Sequence, residues 1–411
     1  MRTGSPRRFG AVLALAVVAL ISGCGKAQPV RSAGAGPAER LAPVLSPGAV
    51  SIATRNTTRL GGADPTSDAA AVARTVYPAM TFASRPQAVV VADQNNWPAA
   101  LAASVLSSSP LAAPLLYSEG DSLPSISLQT LQSLDPLGAP TLGGTQEIRI
   151  ATTAPAPASY VTHTIAGGEP AVVAAAIEHL LLAADGGTPV RQVIVLAANT
   201  PPALAMPAAG LAAESGAPIL FVTRARVPLA TAAALAGLHK PSIYVIGSAE
   251  IGAKTIASLA RFGRVTTISG GGEPAVPASA VANAIAVARF TNGTFGWGVK
   301  EPGHGLVFAN AARPLDAPAA ALLSATGDYG PLLLLDSATQ IPAELAAYLG
   351  DIQPAYTATV PAVRGVYNHG WLIGDEHAIS IVTQAELDSL LEISQRRQAG
   401  GGEETAPAPA E

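Results

Sequence analysis

The stretch TISGGGEPAV, residues 267–276, repeats a phrase that the chain has already used as TIAGGEPAV at residues 164–172. A looser copy, TRLGGADPTS, occupies residues 58–67. Each copy has a short β-rich segment, glycines that allow a turn, an acid, and a Pro suited to a first helical position. The acids are Asp64, Glu169 and Glu273. The phrase predicts a strand–turn–helix unit that occurs three times, with ligand contact by the turns as an open alternative.

A longer repeat surrounds this phrase. Similar segments begin at Gln87, Arg191 and His304, and each contains an apolar run, a polar tip, a Pro, an Ala-rich helix and a second apolar run led by Pro. The prolines that lead these second runs are Pro114, Pro218 and Pro331. Their spacing is far longer than that of solenoid repeats and indicates three modules of domain size.

The apolar runs predict the fold class. Runs of four to six residues alternate with longer helical segments, which is the pattern of buried parallel strands joined by helices. A third strand ending in Gly is expected at PTLGG from Pro140, SIYVIG from Ser242 and GWLIG from Gly370. We therefore predict an α/β protein of three repeated, open, mostly parallel α/β modules packed in one assembly. Their ranges are residues 51–160, 161–265 and 266–395, and the first module lacks a helix after its third strand.

The N-terminus is typical of a bacterial lipoprotein signal peptide. Three Arg residues precede the apolar run FGAVLALAVVALIS, which is too short for a membrane span, and the run leads into ISGC at residues 21–24. Cys24 is the only Cys, so it is the expected attachment point for membrane lipid. An ordinary signal peptide with an accidental Cys is the alternative. Residues 1–23 are then the signal peptide, 24–50 a flexible linker and 396–411 a disordered acidic tail.

Composition excludes one class of partner. Without the three Arg of the signal peptide, 21 basic and 28 acidic residues leave a net charge of −7. Only four Lys are present, and no basic patch or arm appears. Nucleic acid is therefore not an expected partner.

The repeated segments resemble the type 2 cell-wall-binding repeat, which occurs in triplicate in surface proteins of Gram-positive bacteria. The similarity is carried by APLL from Ala113, APIL from Ala217, SIYVIG from Ser242 and IGDEHAIS from Ile373. It extends from Thr54 to about Ser394. The resemblance implies binding to anionic wall polymers on the outer face of the membrane.

This sequence departs from the family phrase G-x-D-R-Y-x-T-A. The Arg of the phrase is replaced by Pro65, Pro170 and Pro274, and the Tyr is missing. Of the family's A-D-A-L acids, only Asp316 remains. With a negative net charge as well, strong attraction to an anionic polymer is not expected.

Common catalytic and metal-binding patterns are absent from the sequence. The six His residues have no metal-ligand spacing, and DEHAIS at residues 375–380 is best interpreted as a turn into a helix. No G-x-S-x-G or phosphate-binding loop is present. We expect a non-catalytic protein without cofactor or metal.

A binding surface is predicted where the first strand of each module ends. Ligands of open α/β sheets lie beyond the carboxyl ends of the strands. The candidate ligand-binding residues at these tips are Asp93, Asn95, Trp97, Asn199, Asn310, Arg313 and Asp316, with Asn95, Asn199 and Asn310 in comparable places. Solvated loops and helix caps are the alternative. The insertion at Phe290–Gly305 predicts an exposed loop or, equally, a structural staple.

These patterns favour a membrane-anchored lipoprotein that contacts cell-wall glycan or polymer. A receptor for a small soluble ligand, such as a transporter's binding lipoprotein, is the alternative. A receptor of that kind usually has two lobes around one cleft, for which a threefold repeat provides no natural pair. The oligomeric state and the ligand's identity do not follow from the sequence.

Overall fold

The computed structural model describes residues 50–270, 279–325, 330–356 and 366–395. The predicted signal peptide, Cys24, the linker up to residue 49 and the acidic tail lie outside the described residues. So do Glu273 and Pro274 of the third GGEP phrase.

The described chain alternates strands with helices. The strands are β1 Val50–Ala53, β2 Thr57–Gly61, β3 Val89–Asp93, β4 Leu115–Ser118, β5 Glu147–Ile150, β6 Thr162–Ile165, β7 Gln192–Ala197, β8 Ile219–Val222, β9 Ser242–Ile246, β10 Arg264–Ile268, β11 Gly305–Asn310, β12 Leu332–Leu335, β13 Ala355–Tyr356, β14 His369–Ile373 and β15 Ser394–Gln395. The α-helices are α1 Pro65–Val76, α2 Trp97–Ala103, α3 Ser125–Leu134, α4 Pro170–Ala184, α5 Pro202–Ala205, α6 Pro207–Ser215, α7 Leu229–Gly237, α8 Ala253–Leu259, α9 Ala280–Arg289, α10 Asp316–Ala325, α11 Ala343–Asp351 and α12 Ile381–Leu391.

Three sheets share one strand order, which confirms the α/β fold class with repeated modules. The first sheet runs β4-β3-β5-β6 and the second β8-β7-β9-β10. The third runs β12-β11-β14-β2 and carries β1 as an additional strand. All neighbours in these sheets are parallel except β1 and β2, which are antiparallel.

The repeated prolines occupy equivalent positions in the three sheets. Each directly precedes the strand at one edge, and its carbonyl accepts a hydrogen bond from the central strand. The bonds are Val90 N to Pro114 O at 2.9 Å, Ile194 N to Pro218 O at 3.0 Å and Val307 N to Pro331 O at 3.0 Å. Proline is tolerated there because it stands immediately before the first residue of an edge strand, where a ladder hydrogen bond from its own N–H is not required.

The third strand of the first module differs from its predicted position. PTLGG forms a 3₁₀ turn at Pro140–Leu142 followed by two glycines with positive φ, and β5 begins at Glu147. The strand EIRI was missed because it carries two charged residues, although all four of its residues are buried. Arg149 Nη1 pairs with Glu147 Oε1 at 2.8 Å, and its Nη2 donates to the carbonyl of Ala154.

The first module has no helix after its third strand, as predicted, and the ion pair lies beside the loop that follows this strand. After β5 the chain runs as a loop to β6, whereas α8 follows β9 and α12 follows β14. In the third sheet the position of Arg149 belongs to Leu372, which packs in an apolar cluster with Leu387 and Leu391 of α12. In the first module the guanidinium of Arg149 therefore contacts a loop, whereas the equivalent residue of the third module packs on the apolar side chains of a helix.

The last strand of each sheet leads into a helix that covers the next sheet. Helix α4 follows β6 and packs on β8 and α7, and α9 follows β10 and packs on β12 and α11. Helix α1 follows β2 and packs on β4 and α3. We call these the first, second and closing junctions, respectively. The first two sheets therefore extend across the predicted module boundaries, at residues 160/161 and 265/266.

The closing junction differs in connectivity. In the first two sheets all four strands follow one another along the chain, but the third sheet takes its fourth strand, β2, from the N-terminal side. The three sheets thus form a closed arrangement in which the last contact is non-covalent.

The Ala-rich helices meet at the centre of this arrangement. Helices α2, α6 and α10 contact one another, and one continuous core includes residues of all three sheets. The approach of α6 to α10 is close, since a Cβ on Gly210 would lie 2.6 Å from Ser324 Oγ. A second apolar cluster fills the far face of the third sheet beneath α11 and α12.

Candidate functional site: the strand tips and the closing junction

The polar tip of the first sheet is held by its own hydrogen bonds. Asp93 ends β3, and its Oδ1 accepts from the main-chain N of Asn95 at 3.0 Å and of Gly120 at 3.2 Å. Asn95 is exposed, and Trp97 is half-buried against the core. Asn96 caps α2. The tip leaves Asn95 and part of Trp97 accessible to solvent.

The β-ladders correct one sequence comparison. Their register aligns Asp93 with Ala197 and Asn310, whereas Asn95 aligns with Asn199. Asn310 therefore does not share the place of the other two Asn residues. The third tip simply carries its Asn two residues earlier than the others.

Asn199 and Asn310 have different environments. Asn199 is exposed. Asn310 is 6 % exposed, and its Nδ2 donates to Ala378 O at 2.8 Å while its Oδ1 accepts from Ala312 N at 2.9 Å. In this conformation Asn310 joins β11 to the turn before α12.

Arg313 and Asp316 lie at the closing junction together with a residue of α1. Arg313 Nε donates to Asp316 Oδ2 at 2.8 Å, and Nη2 donates to Asp68. Arg313 Nη1 donates to the carbonyl of Ala63 at 3.0 Å. Both carboxylates are fully buried, whereas the arginine side chain is 20 % exposed. We call Arg313, Asp316 and Asp68 the Arg313 cluster.

Burial dominates the electrostatics of this cluster. It raises the pKa of Asp68 to about 9, and the nearby Asp316 raises it too, against the opposing effects of the Gly62 N–H and Arg313. Burial also raises the pKa of Asp316, which Arg313 opposes. Ionisation of both carboxyl groups beside one guanidinium is unfavourable, so the two carboxyl groups together retain one proton near neutral pH. The cluster is then electrically balanced.

Gly61 allows Asp68 to approach the end of β2. Its φ is +121°, and a Cβ there would lie 2.1 Å from Asp68 Oδ1 and 2.9 Å from Gly374 N. Asp68 Oδ1 instead accepts from Gly62 N at 2.7 Å. The corresponding residue of the first junction is Ala166, so this close approach belongs to the closing junction.

A second arginine fixes β2 to the C-terminal part of the chain. Arg59 is 1 % exposed, and its guanidinium donates to the carbonyls of Gly374 at 3.0 Å, Asp375 at 2.6 Å and Ile379 at 2.6 Å. Its Nε donates to Gln384 Oε1 on α12 at 3.0 Å. Every one of these acceptors comes from the third module, at the other end of the described chain.

The first junction has no such cluster. The residues that correspond to Arg313, Asp316 and Asp68 are Asn96, Ala99 and Val173. Beside them a cleft of about 830 Å³ separates β6 from α4 and α7, and its lining is mainly Ala, Val, Leu and Ile with His163 and His179. A second cleft of about 510 Å³ continues across Val172 and Ala230 towards the carboxyl end of the second sheet.

The insertion before β11 is a structural staple, the second of its two predicted forms. Phe295 is buried and stacks on Tyr244 of β9, with ring centroids 3.9 Å apart. Asn292 Nδ2 donates to the Tyr244 hydroxyl oxygen at 2.6 Å. The insertion of the third module is thereby fastened to the second sheet.

The DEHAIS stretch forms the expected turn into α12. His377 Nδ1 lies 3.0 Å from Asp375 Oδ2, which raises the pKa of His377, and Asp375 Oδ1 accepts from the main-chain N of His377 at 3.0 Å within this turn. Over the described ranges, no three His, Cys, Asp or Glu side chains are grouped closely enough to hold a metal ion. Nor does any helix described here combine the length and the apolarity needed to cross a bilayer.

Comparison with known proteins shows the fold. No family model matches the chain, and no curated protein matches it. Among solved structures, Cwp6 from Clostridium difficile is similar with a TM-score of 0.60 and 16 % identity, covering 84 % of this chain and 51 % of that one. Cwp8 from the same organism matches with a TM-score of 0.59 and 16 % identity, covering 82 % and 53 %, respectively. The chain thus spans about half the length of each.

Sequence reasoning missed the partners that β2 and α1 contribute. Arg59 lies within the first copy of the repeated phrase and Asp68 directly after it, but neither has a counterpart at the second copy, where Thr164 and Val173 stand. That departure from the repeat was the available signal. A charge that appears in one copy at a position that is apolar or uncharged in another marks a contact peculiar to that copy.

Proposed function

We propose that this protein is a non-catalytic lipoprotein, anchored through Cys24 on the outer face of the membrane, that contacts cell-wall glycan or polymer. The observation that carries the proposal is the fold, which about half of each of two Clostridium difficile cell wall proteins shares. A likeness at 16 % identity supports a cell-wall role without identifying a ligand.

The exposed parts of the strand tips are the proposed contact surface. Asn95 and Asn199 are exposed amides, and Trp97 offers part of a ring face, which suits sugar hydroxyls and a pyranose ring. Asn310 and Asp316 point into the protein, and Arg313 is mostly occupied by Asp68, Asp316 and Ala63. The first two tips are therefore the better candidates for direct contact, and ligand contact by the third requires rearrangement of the closing junction.

The charge of the chain bears on the type of polymer. A net charge of −7 after signal removal repels a polyanion, and the candidate tips contribute one arginine that is already paired. A neutral or weakly charged glycan is the partner that this surface fits best.

The test is retention of the mature chain on purified cell wall, with and without extraction of the wall's acidic polymers. We expect retention in both cases and weaker retention of the variant Asn95→Ala/Trp97→Ala at an unchanged melting temperature. Thr188→Ala is the matched control, because this exposed residue lies before β7, at the opposite end of the second sheet. Equal retention of both variants, or retention only when acidic polymers are present, would contradict the proposal.

Anchoring is tested separately. Cys24→Ser should abolish labelling with a fatty-acid analogue and release the protein from the membrane fraction. Unchanged labelling would show that another residue carries the lipid.

A further inference from the structure

The outer edge of β6 lies beside the larger of the two clefts at the first junction. In the first sheet β6 is a terminal strand, and no strand of the described chain pairs with its far side. The cleft is lined on this side by four consecutive strand and turn residues, His163, Thr164, Ile165 and Ala166. The main chain of β6, and not only its side chains, therefore faces the cleft.

The third sheet shows what such an edge accepts. By the ladder register, these four residues correspond to Thr58, Arg59, Leu60 and Gly61 of β2. Those are the four residues that pair with β1, in the order Ala53, Ile52, Ser51 and Val50. The cleft beside β6 is thus the counterpart of the place that β1 occupies beside β2.

The hydrogen-bonding groups of β6 point the right way for a further strand. Ile165 O accepts from Ala151 N on the β5 side at 2.8 Å. Because successive residues of a strand direct their N–H and C=O groups to opposite sides, those of Thr164 face the cleft. Unpaired edge groups of this kind are templates for an added strand.

The cleft walls specify the side chains of the added strand. Alternate residues of an antiparallel strand would point towards α4 and α7, where Val172, Ala176 and Ala230 offer small apolar surfaces. In β1, Ser51 and Ala53 are the residues whose main chain pairs with Leu60 and Thr58, respectively. The cleft of about 830 Å³ at β6 has room for larger apolar residues at these two places.

We infer that the edge of β6 and its cleft bind an extended, uncharged peptide segment of a partner protein as an antiparallel strand, with alternate apolar side chains inserted between β6 and α7. A single strand fits this space. A strand that already belongs to a sheet, such as β6 of a second copy, would bring its neighbouring strands against α7. The inference does not depend on the proposed wall binding.

The test uses the mature full-length chain and two synthetic peptides. One has the sequence of residues 48–54, GAVSIAT, and the other carries Ser51→Val and Ala53→Val; both have a photoreactive group at the N-terminus and an amidated C-terminus. We expect cross-links to residues 162–183, and about tenfold tighter binding of the second peptide because two larger apolar side chains enter the cleft.

Two variants of the same residue separate edge pairing from other binding. Thr164→Pro removes the N–H that faces the cleft but no hydrogen bond to β5, and proline is tolerated on edge strands. We expect it to abolish cross-linking, while Thr164→Val retains it. Circular dichroism and melting curves will show that both variants fold.

A different occupant of the cleft would change the result of these experiments. Cross-links that are unaffected by Thr164→Pro, that map to β2, or that are absent would overturn the inference. So would concentration-dependent dimerisation lost in Thr164→Pro, which would assign the edge to a second copy. Peptide binding that appears only after residues 25–49 are removed would assign it to the chain's own N-terminal segment.

Discussion

The closing junction and the first junction are the same structural unit built with different chemistry. At the first junction, β6 and α4 join two modules that are also joined by the chain, and the positions of Asp68 and Asp316 hold Val173 and Ala99. At the closing junction the chain does not join the two modules. Two arginines, Arg59 and Arg313, and two buried carboxyl groups, Asp68 and Asp316, lie there instead. The edge of β6 is open, whereas β1 covers that of β2.

The difference shows where specificity is needed. Small apolar side chains suffice where covalent continuity already places the right surfaces together. A non-covalent closure must instead select one register among several, and a buried ion cluster does this because a misplaced charge is costly. Such clusters contribute little net stability, so removing one partner should be far worse than replacing the whole set.

Loss of Arg59 should produce the largest effect. Arg59→Ala leaves three buried carbonyls and the Gln384 side chain without their donor, and we expect a loss of about 3–5 kcal/mol in the free energy of unfolding. The matched control is Thr164→Ala at the corresponding, exposed position of the first junction, with an expected change within about 0.5 kcal/mol. Urea unfolding of both variants measures the contrast, and similar losses would remove the distinction between the junctions.

Arg313→Ala should cost somewhat less, about 3 kcal/mol, because it leaves two carboxyl groups in a buried site. Replacing the cluster by the residues of the first junction, with Arg313→Asn, Asp316→Ala and Asp68→Val together, should recover most of this loss. Denaturant unfolding of the single and triple variants tests the point. A triple variant less stable than Arg313→Ala would show that the cluster supplies stability itself.

Gly61→Ala should cost about 2 kcal/mol, since an alanine must adopt a φ near +121° and its Cβ would collide with Asp68. The reverse change at the first junction, Ala166→Gly, should cost less than about 1 kcal/mol. Thermal unfolding gives both values. Equal costs would mean that the two turns have the same backbone requirement.

For each pH unit, the change in stability should be smaller than these losses. The folded pKa of Asp68, about 9, lies above its ordinary value near 4, so the folded state holds a proton that the unfolded state releases. Its contribution to stability is therefore complete in acid and decreases as pH rises from about 4 to about 9, by at most about 1.4 kcal/mol per unit. Asp68→Asn should flatten this slope in urea unfolding between pH 5 and pH 8.5. A variant with the wild-type slope would assign the pH dependence to other groups.

Much of the fold could be predicted from the sequence because the repeat consists of apolar runs and prolines at equivalent positions. Pro114, Pro218 and Pro331 mark equivalent edge strands, and the acids Asp64 and Glu169 precede helices that begin with Pro, as predicted. The strand EIRI was not predictable by the same rule, since its two charged residues pair with each other and its arginine also donates to a loop that has no counterpart in the other modules.

The candidate site was less predictable. Arg313 and Asp316 were predicted as ligand-binding residues, but their shared partner Asp68 belongs to the first module and is distant in sequence. Periodicity describes one element and its neighbours, whereas this contact depends on how the first and last modules meet. Whether the exposed tips bind a ligand remains a prediction.

The non-covalent closure is tested most directly by cutting the chain between α1 and β3. A protease site can replace residues 79–84, where Met80 and Phe82 are exposed, and the folded protein is then cleaved and passed through a gel-filtration column. The account predicts that the N-terminal piece with β1, β2 and α1 co-elutes with the remainder under native conditions, and that Arg59→Ala releases it. Release of the piece without any substitution, or retention that Arg59→Ala leaves unchanged, would contradict the account.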